Sequence, residues 1–402
     1  MKKVLYISSA VDPTRIKEII KRRVSKNSNS LEPIAKYNNL LIDGLSKDRN
    51  IKEVTSLIGA PISKNAFSYK YFKGSKRIEG KKTYLMLGFL NFPGIKHLTI
   101  ILKSLIYIVY WNIKNAKEDK VIIIDGSYYS EIIAVHIGNL FFKTPIVYSV
   151  LDVYNYMAKL KNIDNESFKI KFCRKVYEKL KYKVSGFILI TKQTNDLINT
   201  MNKPYVIIEG LVPYEENKDE FTPEHKNMFI YAGGLQEQYG IRTLVDAFTK
   251  IDSKYELWLF GLGNQIDYIE KVSQKHKNIF YKGSISNDEL MKIEKQAFCL
   301  VNPRPTNEEY TKYSFPSKTM EYMLTGRPVL TTRLKGIPSE YDNYIYYIED
   351  ESENGIVNAI KFMINNDKNI LSKKGDSARK FVLNEKNNLK QGNRLSDFLN
   401  TI

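Results

Sequence analysis

Short, nearly continuous apolar runs alternate with helix-length stretches along most of the chain. In the first half, Val4–Ser8, Val121–Asp125, Ile146–Val150, Phe187–Thr191 and Tyr205–Glu209 predict strands. Between them, Pro33–Leu45, Tyr129–Phe142, Ser167–Val184 and Lys192–Met201 have the length and periodicity of helices. Strands that are apolar on both faces and separated by helices predict a parallel sheet covered on both sides.

The pattern breaks at 212–227, VPYEENKDEFTPEHKN, which is polar, acidic and punctuated by proline, as an interdomain linker is. It then restarts, with strands expected at Met228–Ala232, Glu256–Gly261, Ile279–Gly283, Cys299–Asn302, Pro328–Thr332 and Tyr344–Ile348. Helices are expected at Arg242–Lys250, Gln265–Lys275, Asn287–Gln296, Phe315–Leu324 and Glu353–Ile364, and the chain beyond Asp367 reads as wholly helical. The sequence thus predicts an α/β protein with two doubly wound domains, 1–211 and 228–384. A last helix, about 385–402, carries Leu389, Leu395, Phe398 and Leu399 on one face and is expected to pack back on the first domain.

One stretch stands outside this alternation: LTIILKSLIYIVYW, Leu98 to Trp111. It is shorter than the ~20 residues that span a bilayer, and Lys103 interrupts it. It reads as a helix buried between sheet and neighbours, or as one lying partly in a bilayer interface.

Length and composition agree with two packed domains. The 402 residues are 43% hydrophobic and 26% charged, and 21 Gly with 13 Pro exclude a collagen-like or linker-dominated chain. A surplus of 62 Lys+Arg over 44 Asp+Glu, a net charge of +18, favours polyanionic partners such as anionic lipid headgroups or phosphate-bearing substrates. The same surplus follows from a general drift toward Lys, Asn, Ile and Tyr. No recognisable nucleic-acid module accompanies it, so no nucleic-acid partner is expected. Two distant cysteines, Cys173 and Cys299, exclude a disulfide framework and a Cys-based metal site, and read as reduced thiols of a cytosolic protein. The apolar start at Val4–Ile7 turns polar at Ser8–Ser9, too soon for a signal peptide.

Several chemistries lack their motifs. There is no G-x-G-x-x-G after the first strand, no P-loop and no G-x-S-x-G elbow. His97, His136, His225 and His276 are scattered, and no Asp-x-Asp occurs, so metal-free chemistry without a cofactor is expected. His136, alone in an apolar helix, reads as a packed histidine.

The informative block is Asn302 to Thr332, NPRPTNEEYTKYSFPSKTMEYMLTGRPVLTT. A strand ends at Asn302, and after a polar loop Phe315-Pro316-Ser317-Lys318 opens a helix. Amides at a helix start favour an anion such as a diphosphate, and Lys318 adds a positive charge there. Glu321, three residues on, shares a face with Lys318 and suits the vicinal hydroxyls of a ribose. The same residues also fit a surface helix whose Lys and Glu pair with each other.

The run FPSKTMEYMLTGRPVLTT resembles the donor-site signature of family-four, retaining GT-B glycosyltransferases (glycosyl transferases group 1). In the same order along the chain, YAGGLQEQYGIRTLVDAF resembles that family's opening strand, glycine loop and helix, FGLGNQIDYIEK its G-x-G turn, and YKGSISNDELMKIEKQA its next strand–loop–helix. PIVYSVLDV resembles the strand leading to a family His-Asp pair, with Leu151 in the His place. The resemblance covers most of the chain, strongly after Tyr231 and weakly before Val121.

It implies a GT-B architecture: two Rossmann-like doubly wound domains facing a cleft, with C-terminal helices, the acceptor domain first and the donor domain second. It implies that Glu321 holds the nucleotide ribose, that Gly233 and Gly234 admit the phosphates, and that Gly261 and Gly263 allow close approach near the base. Phe315, Pro316, Ser317 and Lys318 would present amides and an ammonium to the diphosphate and sugar. Two family charges are missing, an Arg and a Lys of the donor loop, whose places fall at Gly234 and Tyr239; Arg242, Arg304 or Lys318 would have to compensate. The family's first glutamate falls at Tyr313. Lys318 and Asp152 are the candidate catalytic residues, and a helix cap or surface loop is an equal reading of Asp152.

The implied activity is transfer of a hexosyl-type sugar from a nucleotide-diphosphate donor, with retention, to a glycan or lipid-linked acceptor in cell-surface polysaccharide biosynthesis. It would run in the cytoplasm or at the inner membrane face, where an anionic surface is a further partner. Two alternatives stay open: a GT-B-fold nucleotide-sugar binding protein without catalysis, and a nucleotide-sugar epimerase.

Overall fold

The computed structural model describes residues 1–8, 10–22, 32–59, 62, 67–126, 129–151, 175–214 and 226–402. Asp152, Cys173, most of the expected linker and the first eight residues of the expected helix Ser167–Val184 lie outside them. Two compact units emerge: Met1–Leu211 with Asn388–Ile402, and Val212–Asn387.

The first unit is built on an eight-stranded sheet. In spatial order its strands are Tyr205–Ile207, Gly186–Leu189, Ile146–Val150, Lys120–Asp125, Lys2–Ser8, Ile51–Ile58, Lys82–Met86 and Ser75–Glu79. All neighbours are parallel except the last pair. The period of two in a strand sends Leu5, Ile7, Ile122 and Ile124 to one core and Val4, Tyr6, Val121 and Ile123 to the other. Three strands escaped the sequence reading, because Ile51–Ile58 mixes Lys52, Glu53, Thr55 and Ser56 into its apolar run and the other two are short and charged. Lys76, Arg77 and Glu79 sit on the antiparallel edge strand, where charge protects an open edge from further pairing. The expected strand residue Thr191 instead caps the helix Lys192–Ile198, its hydroxyl accepting from Thr194 N at 3.1 Å.

The last helix, Asn388–Asn400, lies in this unit against Glu32–Lys47. Their crossing is glycine on glycine: a Cβ at Gly44 would fall 1.7 Å from Asn388 O, and one at Gly392 would fall 2.2 Å from Gly44 C. Lys2 Nζ donates to Leu399 O at 2.6 Å beneath it.

The stretch Leu98–Trp111 belongs to a longer helix, Ile95–Lys114. It buries Ile100, Ser104, Ile108 and Trp111, while Ile95, Leu98, Leu102, Ile106, Tyr110 and Ile113 are exposed. The expectation of all-round burial therefore holds for one face only.

The second unit is a six-stranded parallel sheet in the order Ile279–Gly283, Glu256–Phe260, Met228–Ala232, Cys299–Asn302, Val329–Thr332 and Tyr346–Ile348. Chain order reverses between Met228–Ala232 and Cys299–Asn302, so the loops leaving these two strands diverge and open a crevice at their carboxyl ends. Cys299 is buried here as a free thiol, its pKa pushed far up by burial.

Candidate functional site

The loops leaving Met228–Ala232 and Glu256–Phe260 are zipped together by backbone bonds. Gly233 N donates to Phe260 O at 3.0 Å, Leu235 N to Leu262 O at 2.9 Å, and Gln265 N to Leu235 O at 3.0 Å. This needs glycine: at φ +132° a Cβ on Gly261 would sit 1.8 Å from Gly233 O, and one on Gly263 would sit 2.0 Å from Leu235 O. The Cβ directions of these two glycines, which the motif resemblance assigns to the approach of a nucleotide base, point into the neighbouring loop. Tyr231 Oη donates to Gly234 O at 2.8 Å and steadies the turn.

Around Gly234 lies a stack of aromatic rings and one guanidinium. A Cβ on Gly234 would meet the Tyr239 ring at 2.9 Å, and the Arg304 guanidinium lies 4.8 Å from that ring's centroid and 5.6 Å from that of Tyr310. Arg304 O accepts from Thr332 Oγ1. Arg304 Nε is buried without a hydrogen-bond partner, a cost that a bound acceptor would remove. Arg242 is placed differently: it is exposed and stacks at 4.6 Å on Tyr268, which bonds Asp246.

The helix Ser317–Leu324 starts from Pro316, with Phe315 buried against Tyr341 at 5.4 Å. In its first turn Thr319 N already donates to Pro316 O at 2.8 Å, and the amides of Ser317 and Lys318 are the ones a helix start leaves without an intrahelical acceptor. Tyr322 anchors it to the crevice: its hydroxyl accepts from Ala232 N at 2.8 Å and lies 3.3 Å from Ala232 O, one residue before Gly233. The chain leaves through Gly326 at φ +76°, the left-handed closure common after a helix. Lys318 Nζ and Glu321 Oε2 are 2.9 Å apart, each about a third exposed (33% and 32%). They share one face, as their spacing requires, and they are paired, as the surface-helix reading requires.

The structure thus gathers Gly233, Gly234 and Arg304, and ties the helix of Lys318 and Glu321 to the adjacent strand end. Tyr231, Tyr310 and Tyr322 were missed, and Tyr239 was marked only as the place of a family Lys; among 28 tyrosines in the chain none carried a signal of its own. Among the described residues no group of three His, Cys, Asp or Glu could hold a metal ion.

In the first unit, the carboxyl ends of the strands carry buried carboxylates. Asp12 accepts from Arg77 at 3.0 Å; burial opposes its ionisation, but Arg77 and Thr14 hold the carboxyl below its usual range. Glu131 is pushed up to about 7 by burial. His136 is driven down to about 4, mainly by burial, and bonds Tyr148 Oη at 2.8 Å, as a packed histidine does.

Two units with parallel sheets, and a crevice at the switch of strand order in the second, define a GT-B fold, the class of two-domain glycosyltransferase folds. Over the whole chain the structure resembles a sucrose-phosphate synthase from Thermosynechococcus elongatus, with a TM-score of 0.67 and 14% identity, covering 100% of this chain and 99% of that one. It also resembles Anabaena HepE in complex with UDP, with a TM-score of 0.62 and 12% identity, covering 100% of both chains. TarM of S. aureus, in a mutant complex that includes UDP, matches at a TM-score of 0.52 and 17% identity, over 81% of this chain and 64% of that one. Residues 226–366, which hold the zipped loops, Arg304 and the Ser317–Leu324 helix, match the family of glycosyl transferases group 1. The second unit therefore carries a glycosyl transferases group 1 domain. No curated protein matches the chain by sequence.

Proposed function

We propose that the chain is a glycosyltransferase that moves a sugar from a nucleoside diphosphate to a glycan or lipid-linked acceptor. The observation that carries this reading is the coincidence of the family match with the crevice of the second unit. UDP is the first nucleotide to test, because resembling structures are complexes with UDP.

The bond from the anomeric carbon to the diphosphate oxygen breaks, one from that carbon to an acceptor oxygen forms, and the acceptor hydroxyl loses its proton. Negative charge builds on the leaving diphosphate, so donors fixed around it stabilise the transition state more than the ground state. The amides at the start of Ser317–Leu324 and the Lys318 ammonium supply that field. Arg304 replaces the charges that the family carries at the places of Gly234 and Tyr239; its unpartnered Nε and its stacking on Tyr239 favour it over Arg242. Glu321 takes the ribose, which requires it to exchange Lys318 for the hydroxyls.

Retention at the anomeric carbon and independence of metal complete the reading, supported by the motif resemblance and the lack of an Asp-x-Asp in the sequence. Asp152 stays a candidate catalytic residue beside Lys318. Cell-surface polysaccharide synthesis in the cytoplasm is the setting we infer.

The test is turnover of UDP-sugars with a panel of glycan and lipid-linked acceptors. Lys318→Ala should lower turnover by roughly 10²–10³, the scale of one preorganised donor. Arg304→Ala should weaken UDP binding where Arg242→Ala does not. Nucleotide binding with no transfer or hydrolysis would favour a non-catalytic binding protein, and product formed without acceptor would favour an epimerase.

A further inference from the structure

The helix Ile95–Lys114 has an outer face unlike that of Glu32–Lys47, which packs in the other core of the sheet. Helices covering a sheet are expected to turn polar side chains outward, as Lys36 and Lys47 do on Glu32–Lys47. Here the outward residues are Ile95, Leu98, Leu102, Ile106, Tyr110 and Ile113, with Ile106 at 65% exposure. Their spacings of three and four residues form one stripe along the helix, opposite the buried Ile100, Ser104 and Ile108.

The neighbouring helix, Tyr129–Gly138, extends the stripe. The two run side by side in the same direction: His97 bonds Ser130 at 3.0 Å, a Cβ on Gly138 would meet Ile108 at 3.1 Å, and Thr144 bonds Asn112 at 2.7 Å. Ile137, Leu140 and Phe141, the last 88% exposed, lie at its far end and continue the apolar surface. Nine large side chains about half or more exposed present on the order of 1,000 Å², well above the largest patch of a typical monomer.

Charge says what covers this surface. From residue 80 to residue 117 there is no Asp or Glu, and the helix carries Lys96, Lys103 and Lys114. Steps of seven and eleven residues put these three within about 20° of one another around the axis, along one flank of the stripe. Lys96 and Lys103 donate to the carbonyls of Ile62 and Gly88, each at 2.6 Å, which holds their charge at that edge. An apolar band flanked by cations, with Glu131 of the neighbouring helix buried beneath it, complements an anionic bilayer surface, with acyl chains under the band and headgroups against the lysines. No helix among the described residues is long and apolar enough to cross a membrane, so the contact lies in the interface.

The geometry points to a docking surface for an anionic lipid bilayer on the first unit, formed by the outer face of Ile95–Lys114 and the end of Tyr129–Gly138. It is independent of the transfer reading: membrane binding is measured without nucleotide or acceptor, so either can fail alone.

The test is flotation of the full chain with vesicles of equimolar phosphatidylcholine and phosphatidylglycerol, against vesicles of phosphatidylcholine alone. The chain should float with the first, release at high salt, and float poorly with the second. Leu102→Glu with Ile106→Glu should lower binding by at least about tenfold, with circular dichroism and melting temperature unchanged because both side chains are exposed. Leu102→Gln with Ile106→Gln serves if the acidic pair does not fold. Phe362→Glu, an exposed apolar position on the second unit, should bind as the native chain does. Absent binding, binding unaltered by both stripe variants, or a native dimer that the stripe variants split would each overturn the inference.

Discussion

Replacing Glu321 separates two roles that its geometry permits, a surface ion pair and a ribose ligand, because they differ in size. With both side chains a third exposed, the Lys318 pair at 2.9 Å contributes about 0.3–0.5 kcal/mol to stability, the range of exposed pairs one helical turn apart. Two hydrogen bonds from a carboxylate to vicinal hydroxyls contribute about 1.5–3 kcal/mol each when well shielded. Partial exposure brings the pair of bonds to about 2–4 kcal/mol, roughly 30- to 1,000-fold in Kd. Glu321→Ala should therefore weaken UDP at least about 30-fold while moving the melting temperature very little. Glu321→Gln keeps one good acceptor and should fall between the two. Calorimetric titration with UDP and with 2′-deoxy-UDP gives the decisive comparison: the native protein should prefer the ribonucleotide, and Glu321→Ala should lose that preference. If alanine costs less than about threefold in UDP affinity, or the preference survives it, Glu321 is a surface partner of Lys318 and the ribose assignment is wrong.

Two more outcomes follow from packing and burial. Gly261→Ala forces a Cβ to 1.8 Å from Gly233 O at a φ of +132°, so the zipped loops must part; urea denaturation should show a loss of about 3 kcal/mol or more, with weakened UDP binding, and unchanged stability would refute the glycine argument. Glu131, raised from 4.5 to about 7 by burial, keeps its proton in the folded unit, so its contribution is complete below pH 4.5 and is lost as pH rises through about 7. A shift of that size corresponds to about 3 kcal/mol; Glu131→Gln should remove this pH dependence and be the more stable form above neutrality, and parallel stability–pH curves would refute it.

The alternation of apolar runs and helix-length segments was enough to predict two doubly wound sheets, since strands buried on both faces leave an uninterrupted hydrophobic signature. The motif block 302–332 pointed to the Ser317–Leu324 helix for a similarly local reason: proline, serine and glycine mark its ends through backbone preferences that need no partner. What the sequence withheld is what depends on contacts distant along the chain. Ile51–Ile58 becomes a strand because Lys2–Ser8 and Lys82–Met86 pair with it, although its own polar residues argue otherwise. That Gly261 and Gly263 also let two loops touch is a contact no local pattern shows. Arg304 stands apart from Gly234 in sequence by seventy residues, and only the reversal of strand order brings the loops that carry them to one crevice. Periodicity fixes which residues share a face of Ile95–Lys114; which face meets the sheet, and which is left to solvent or lipid, was decided by the packing of Ile100, Ser104 and Ile108. Local propensity determines what forms, and long-range burial determines what each formed surface is free to touch.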